Sequence, residues 1–257
     1  MNHAQKAVDS LTFKFRNSMP DKLGEIEGIL TELTYRIQTE ALWSKVMRKI
    51  HSFIGSSATF GFIEISQSAR RLEENVNKLV GLRQANKLEL DQTWQIFGML
   101  RSIVEEKVKE LSGELVSLEC PLTFSSNYLM IKPSKIFILS DDEYFSQWLN
   151  SLLTDDNHEV YVVDSPSEAL CHKELDKCDF IFSEVILPEM DGYHFAKELR
   201  KRQRNQYLPL IFITSITGEM NRLECIKAGG DAVLAKPASI ELIRAELFVI
   251  RRLIENT

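Results

Sequence analysis

Paired cysteines are missing from this chain. Cys120, Cys171, Cys178 and Cys225 form no CxxC pair and have no histidine at metal-ligand spacing, which excludes a disulfide framework and a structural zinc site. No apolar run reaches the ~18 residues that a membrane-crossing helix needs. The polar opening from Met1 to Asp9 is followed by no apolar signal core. The reading is of a cytoplasmic protein without a membrane partner. A basic excess is absent too, with 31 Lys plus Arg against 37 Asp plus Glu, so direct nucleic-acid binding by these residues is not expected. Neither GxxxxGK[ST] nor GxGxxG occurs, which leaves no phosphate-cradling loop for a nucleotide. What remains is a chain of 257 residues, 44% of them apolar, enough for one large core or two ordinary ones.

The charges divide the chain. Up to Met130 there are 16 basic and 16 acidic residues, so the net charge of −6 belongs entirely to the rest. Proline follows the same division: none stands between Pro20 and Pro121, whereas Pro133, Pro166, Pro188, Pro209 and Pro237 punctuate the second part. The expected organisation is a helical domain over 1–120, a linker over 121–134 and a second domain over 135–257.

In the first part apolar residues recur at intervals of three and four, the period of an amphipathic helix. A short helix over 7–17 should end before Pro20, and Leu23, Ile26, Leu30 and Leu33 should line a new one. Further helices are expected over 39–54, thinning at Gly55 to Ser57, over 60–80 and over 88–116. Long amphipathic helices with short joins predict a four-helix bundle. The linker is rich in Ser, Asn and Pro but holds Phe124, Tyr128, Leu129 and Ile131, so it should pack.

In the second part the period changes. Short β-branched and aromatic runs, 135–139, 159–163, 180–183, 210–214 and 232–235, read as strands buried on both faces of a parallel sheet. The segments between them, 143–154, 166–174, 192–203, 218–227 and 240–255, are long enough for crossover helices. The result is a flavodoxin-like doubly wound (βα)5 unit. Asp155 to His158 should form a helix-to-strand turn, Arg200 to Arg204 a solvated helix end, and Gly229-Gly230 a helix stop at positive φ.

In such a sheet the chemistry gathers at the C-terminal ends of the strands. There stand Ser140, Asp141 and Asp142, then Glu184, Thr214 and Lys236. With Pro188-Glu189-Met190-Asp191-Gly192 after the third strand and Lys236-Pro237 after the fifth, residues 135–256 resemble a response-regulator receiver domain. The resemblance implies an acidic pocket of Asp141, Asp142 and Glu184 and switch residues Thr214 and Lys236. In that family acids after the first and third strands hold Mg²⁺ and an aspartate takes the phosphoryl group. Here Glu184 stands in the acceptor position, Ser140 in place of the first acid, and Val233 where an aromatic residue is usual. Glutamate reaches farther and should extend its carboxylate to Lys236, with Asp141 beside it, imitating a phosphorylated state. Any Mg²⁺ held by Asp141 and Glu184 should be weak or absent, and no other cofactor is implied. The competing view is an inert ion-pair scaffold.

The first part contains His51-Ser52-Phe53-Ile54-Gly55-Ser56-Ser57-Ala58-Thr59-Phe60-Gly61, then Ala69-Arg70-Arg71-Leu72-Glu73. This resembles the H-x-L-K-G segment of histidine-containing phosphotransfer (Hpt) domains. The resemblance implies His51 as phosphoacceptor and Gly55, Ser56 and Gly61 as a low surface on which a partner docks. Ile54 replaces the lysine one turn after the histidine. A transferring imidazole must be reachable, so His51 is expected on the outer face of the bundle, and a ring inside the core would count against transfer. His3, His158, His172 and His194 read as surface residues.

Together these readings predict a two-component phosphorelay module rather than an enzyme, with a receiver domain or histidine kinase as partner. The alternative is an interaction protein that carries no phosphate and binds such a partner stoichiometrically. The last helix carries more apolar residues than one sheet-facing stripe buries, so a homodimer is expected through the fourth crossover helix, the fifth strand and the last helix. The flanking charges Arg222, Glu224, Lys227, Asp231, Glu241, Arg244 and Arg251 are expected to pair with their complements across its two-fold axis. The alternative is that the apolar excess packs on Phe124 to Ile131 or on an output domain. The apolar end also suggests the input half of a longer regulator, such as a diguanylate cyclase.

Overall fold

A computed structural model describes residues 3–35, 38–80, 85–111, 132–216 and 218–255. The chain divides into two compact units, one helical and one α/β. Cys120 and the apolar linker residues Phe124, Tyr128, Leu129 and Ile131 lie outside the described residues, as does the expected helical stretch 112–116.

The helical unit contains α1 (His3–Tyr35), α2 (Glu40–Thr59), α3 (Ile63–Val80) and α4 (Lys87–Glu110). The expected break at Pro20 does not occur, because α1 runs straight through it. Pro20 has no N–H to offer the Arg16 carbonyl, but its ring is exposed, and the buried stripe Phe15, Met19, Leu23, Ile26, Leu30 and Leu33 continues across the site. Packing of that stripe outweighs the lost hydrogen bond.

The other helices start where side chains satisfy free amides. Thr39 Oγ1 accepts from the Leu42 N–H at 3.3 Å, and Asn86 and Glu89 form a reciprocal capping box at 3.1 and 2.8 Å. α3 begins at Ile63 rather than Phe60, since Phe60 closes α2 and Gly61 follows at φ 80°. Gly55 to Ser57 do not thin α2; they are helical and buried. These small residues let α3 approach, and Ser66 Oγ donates to the Ile54 carbonyl at 3.1 Å. Phe15 and Phe60 stack with centroids 5.1 Å apart in this core.

The α/β unit follows the expected strands to the residue: β1 (Lys135–Leu139), β2 (Glu159–Val163), β3 (Phe180–Ser183), β4 (Leu210–Thr214) and β5 (Ala232–Ala235). All pairings are parallel, in the order β2-β1-β3-β4-β5. Only the central three strands are buried along their length. β2 and β5 are edges: Glu159, Val162 and Ala235 are exposed and most of their other residues only half-buried, which corrects the expectation of five strands covered on both faces. Helices α5 (Glu143–Asp155), α6 (Pro166–Cys171), α7 (Gly192–Lys201) and α8 (Glu219–Lys227) make the four crossovers, and α9 (Ile240–Glu255) follows β5. α6 is shorter than expected and a 3-10 turn at Leu175–Lys177 completes that connection.

Several polar residues fasten the sheet at its N-terminal end. Asp179 Oδ2 accepts from the Lys135 N–H and Asp231 Oδ2 from the Leu210 N–H, both at 2.8 Å. Asn157 turns the chain into β2 at φ 63°, and Gly229 ends α8 at φ 107°. The segment Arg200 to Arg204 is not simply solvated. Arg200 donates to the carbonyls of Gly229, Asn205 and Leu208 and pairs with Asp231 at 2.8 Å, while Arg202 donates to the Leu170 carbonyl at 2.5 Å. Arg244 grips Asp156 with two bonds of 2.7 and 2.6 Å. Arg244 and Asp231, two of the charges expected to flank a two-fold axis, thus each have a partner within the chain. His158 is buried, contrary to expectation. No described helix is long and apolar enough to cross a membrane.

The uninterrupted α1 gives a direct test. Pro20→Ala restores an N–H to the Arg16 carbonyl at an exposed position, so the helical unit should gain about 1–3 kcal/mol, read as a raised midpoint in thermal unfolding. An unchanged or lowered midpoint would mean that α1 needs the proline.

Candidate functional site

The parallel sheet brings four strand ends to one place. The ladder extends one residue past β3 and β5: the Glu184 N–H donates to the Leu139 carbonyl at 3.0 Å and the Lys236 N–H to the Thr214 carbonyl at 2.8 Å. Backbone bonds therefore set where both side chains begin. Glu184 Oε1 lies 2.9 Å from Lys236 Nζ, and the two side chains are 2% and 1% exposed. Ser140 Oγ donates a short hydrogen bond to the same Oε1. The Lys236 ammonium also sits 3.5 Å from the centre of the Phe145 ring, whose face is its second support.

Around this cluster the loops are shaped to fit. Asp142 caps α5, with Oδ1 accepting from the Phe145 N–H at 3.2 Å, so it places the aromatic ring. Its own N–H donates to Ser140 Oγ at 3.2 Å. Thr214 is buried and accepts the Ile216 N–H at 3.1 Å. Gly192 opens α7 against the Glu184 carbonyl, where a Cβ would lie 2.2 Å from that oxygen; no other residue fits without moving the strand end that carries Glu184.

The expected reach of Glu184 to Lys236 is what the structure shows. The placement of Asp141 is different: it is exposed, and the inner partner of Glu184 is Ser140. A magnesium ion needs several hard oxygen ligands in near-octahedral order, usually with carboxylates among them. Here a hydroxyl stands at Ser140, the buried carboxylate is charge-balanced by an ammonium, and Asp141 and Asp142 lie outside the pair. Among the described residues no three His, Cys, Asp or Glu side chains gather as ligands. The residues present do not fit Mg²⁺.

In the helical unit His51 occupies the middle of α2, and Glu73 reaches it from α3. The His51 Nδ1 lies 2.7 Å from Glu73 Oε1. A carboxylate only accepts, so Nδ1 keeps the ring proton and donates it to Glu73, which puts the lone pair on Nε2, the nitrogen suited to nucleophilic attack. The ring is nonetheless buried, at 2% exposure, as is Ile54 at 0%. The expectation of an imidazole on the outer face is therefore corrected. α3 contributes Glu73 to the ring and the Ser66 hydroxyl to the Ile54 carbonyl. Of the expected docking residues Gly55 and Ser56 are buried and Gly61 is exposed.

Three participants escaped the sequence reading. Glu73 stands in the quoted Leu72-Glu73 pair, and the antiparallel register of α2 and α3 is the signal that joins it to His51. Ser140 was read as a lost acid rather than as a donor. Phe145, three residues after a capping aspartate, could have been placed over the pocket from that spacing.

The family model for the response regulator receiver domain matches residues 136–248 and that for the Hpt domain residues 11–112. Among curated proteins the chain is similar to the transcriptional regulatory protein KdpE of Staphylococcus aureus, with 28% identity over 48% of this chain and 52% of that protein. An uncharacterized 14.6 kDa protein of Leptolyngbya boryana is 31% identical over 42% of this chain and 84% of its own length. The response regulator PleD of Caulobacter vibrioides is 25% identical over 46% of this chain and 26% of its own. The chain spans about half the length of the first of these relatives. A solved structure, a putative response regulator from Chloroflexus aurantiacus, is 28% identical with a TM-score of 0.44, covering 47% of this chain and 100% of its own.

The ion pair predicts its own sensitivity. Lys236→Met would leave Glu184 buried beside only a hydroxyl, and the α/β unit should lose about 3–5 kcal/mol, measured by urea unfolding. A loss below ~1 kcal/mol, the range of exposed pairs, would show that the pair is not buried in solution.

Proposed function

We propose, for a chain that carries an Hpt domain followed by a response-regulator receiver domain and so belongs to the two-component phosphorelay proteins, that it signals by docking, with its receiver half fixed in one state. The observation that carries this reading is the buried Ser140, Glu184 and Lys236 cluster. Its ammonium, which in a phosphorylated receiver would face an added anion, already faces Glu184 at 2.9 Å. The receiver half is in this reading a pseudo-receiver that takes neither phosphate nor Mg²⁺. Burial of His51 extends the argument to the helical half, since both candidate acceptors are closed by partners within their own unit. The chain is then not an enzyme but a cytoplasmic module that binds a histidine kinase or a receiver domain stoichiometrically. In a longer regulator the fixed surface would serve an output domain, a diguanylate cyclase among the candidates.

A second reading is favoured by one observation. The Nδ1 contact with Glu73 gives His51 the tautomer that phosphoryl transfer through Nε2 requires. In this reading the ring becomes accessible when a partner docks, and His51 passes the group on.

One experiment separates the two. The full chain is incubated with a phosphorylated kinase or receiver and with acetyl phosphate, and intact mass is recorded before and after acid. Docking alone predicts no added phosphate from any donor. Relay predicts acid-labile phosphate that His51→Gln abolishes. Acid-stable uptake lost in Glu184→Gln, or a changed receiver half in beryllofluoride with Mg²⁺, would overturn the pseudo-receiver itself.

Self-association belongs to the same proposal. α8 exposes Met220, Leu223 and Ile226, and α9 exposes Leu242, Val249 and Leu253, two apolar stripes flanking β5. A second copy of the chain would cover both. Light scattering at rising concentration should show a dimer that Leu223→Glu and Leu253→Glu disperse. A monomer at high micromolar concentration, or a dimer indifferent to these changes, would reject this face.

A further inference from the structure

At the opposite end of the sheet from Glu184, one residue is held by every polar group it owns. Ser134, the residue before β1, gives its N–H to His158 Nδ1 at 3.1 Å. Its carbonyl accepts the Glu159 N–H at 2.9 Å, and its Oγ accepts from Arg251 Nη2 at 2.6 Å. His158 opens the path into β2 and Arg251 lies near the end of α9. The entry segment, an edge strand and the last helix thus meet on one serine.

The chemistry of this junction is not neutral to protons. Because Ser134 donates, His158 Nδ1 must carry a lone pair, and the ring proton sits on Nε2. That Nε2 is buried and has no hydrogen-bond partner, and neither has Arg251 Nε. His158 is 4% exposed. The charged groups that face it are Asp156 before β2, Asp179 before β3, and Arg244 and Arg251 on α9. The carboxylates do not serve the ring: Asp156 is gripped by Arg244 at 2.7 and 2.6 Å, and Asp179 takes the Lys135 N–H. Arg251 is drawn over the Phe180 ring, 5.3 Å from its centre, and stands 3.8 Å from Asp179.

We propose that Ser134, His158 and Arg251 form an acid-released clasp that ties the entry segment of the α/β unit to its edge strand and last helix. A second proton on the ring can enter only at Nδ1, where it replaces a hydrogen-bond acceptor by a donor facing the Ser134 N–H. The bond then breaks, and the new imidazolium is buried beside Arg251. Release leaves Ser134 tied to β2 by its carbonyl alone, through the Glu159 N–H at 2.9 Å, and loosens its hydroxyl's hold on Arg251.

Burial is the main cause that lowers the His158 pKa from the ordinary 6.5, with Arg251 and Arg244 acting in the same direction against Asp156 and Asp179. The released state, in which the ring is solvated, binds a proton near 6.5, while the clasped state binds it only at lower pH. The clasp is therefore complete above 6.5 and weakens as pH falls below it. This inference does not depend on the phosphorelay reading.

The test is NMR on the full chain, following histidine ring titrations and Ser134 amide exchange between pH 8 and 5. The His158 ring should titrate below 6.5. Ser134 protection, corrected for intrinsic exchange, should fall by up to about tenfold per pH unit below that value. His158→Gln offers an acceptor that does not titrate, so its Ser134 protection should be flat with pH. Arg251→Gln should raise the His158 midpoint. A ring that titrates at or above 6.5, or Ser134 exchange that ignores its protonation, would overturn the clasp; should His158→Gln fail to fold, the unsubstituted chain and Arg251→Gln decide.

Discussion

The α/β unit depends on one contact, the ammonium of Lys236 against the carboxylate of Glu184. Two charges this deep are tolerable only together, since each alone would bear several kcal/mol of lost hydration. Their meeting requires β3 and β5 to end level although β4 lies between them, which the parallel register secures. It requires the Gly192 turn to pass against the Glu184 carbonyl, and it requires α5 to start at Asp142, so that Phe145 lies beneath the ammonium. Ser140 Oγ completes the set, donating to the same Glu184 oxygen that faces the ammonium.

The helical unit repeats the arrangement with different parts. His51 and Glu73 form a pair between neighbouring helices, and the small residues that follow the histidine let those helices close. The glycine and serine spacing that would keep a docking surface low lies here on the buried part of α2. Composition alone does not tell a low outer surface from a buried one.

Much of the architecture was legible in the residues. The central strands could be bounded from apolar runs because a strand buried in a parallel sheet leaves no room for polar interruptions, and the edge strands β2 and β5 from shorter apolar runs between turn residues. The Glu184 and Lys236 contact followed from the resemblance to a receiver domain, which set the two positions, together with the length of a glutamate. Other features were not legible, for physical reasons. Pro20 is a strong local signal against helix, yet an uninterrupted apolar stripe on both sides overrides it. Arg244 finds Asp156 across 88 positions of sequence, and no local pattern announces such a pair. His158 looked like a turn residue because its burial comes from α9, far along the chain. Asp141 and Asp142 could be assigned to the pocket by spacing, but only the cap geometry shows that one faces solvent and the other serves α5.

The connectivity of the two units differs in a way that matters while the chain is being made. β1 lies between β2 and β3, and its ladder with β3 joins Ile136 to Phe180, so the first strand waits unpaired on one side until more than forty further residues have left the ribosome. His51 and Glu73 are separated by 22 positions within one helical hairpin. Local pairings of this kind form early and independently of later sequence. By sequence separation alone, the contact between the histidine and its glutamate is of the early-forming kind and the closure of the sheet of the late-forming kind.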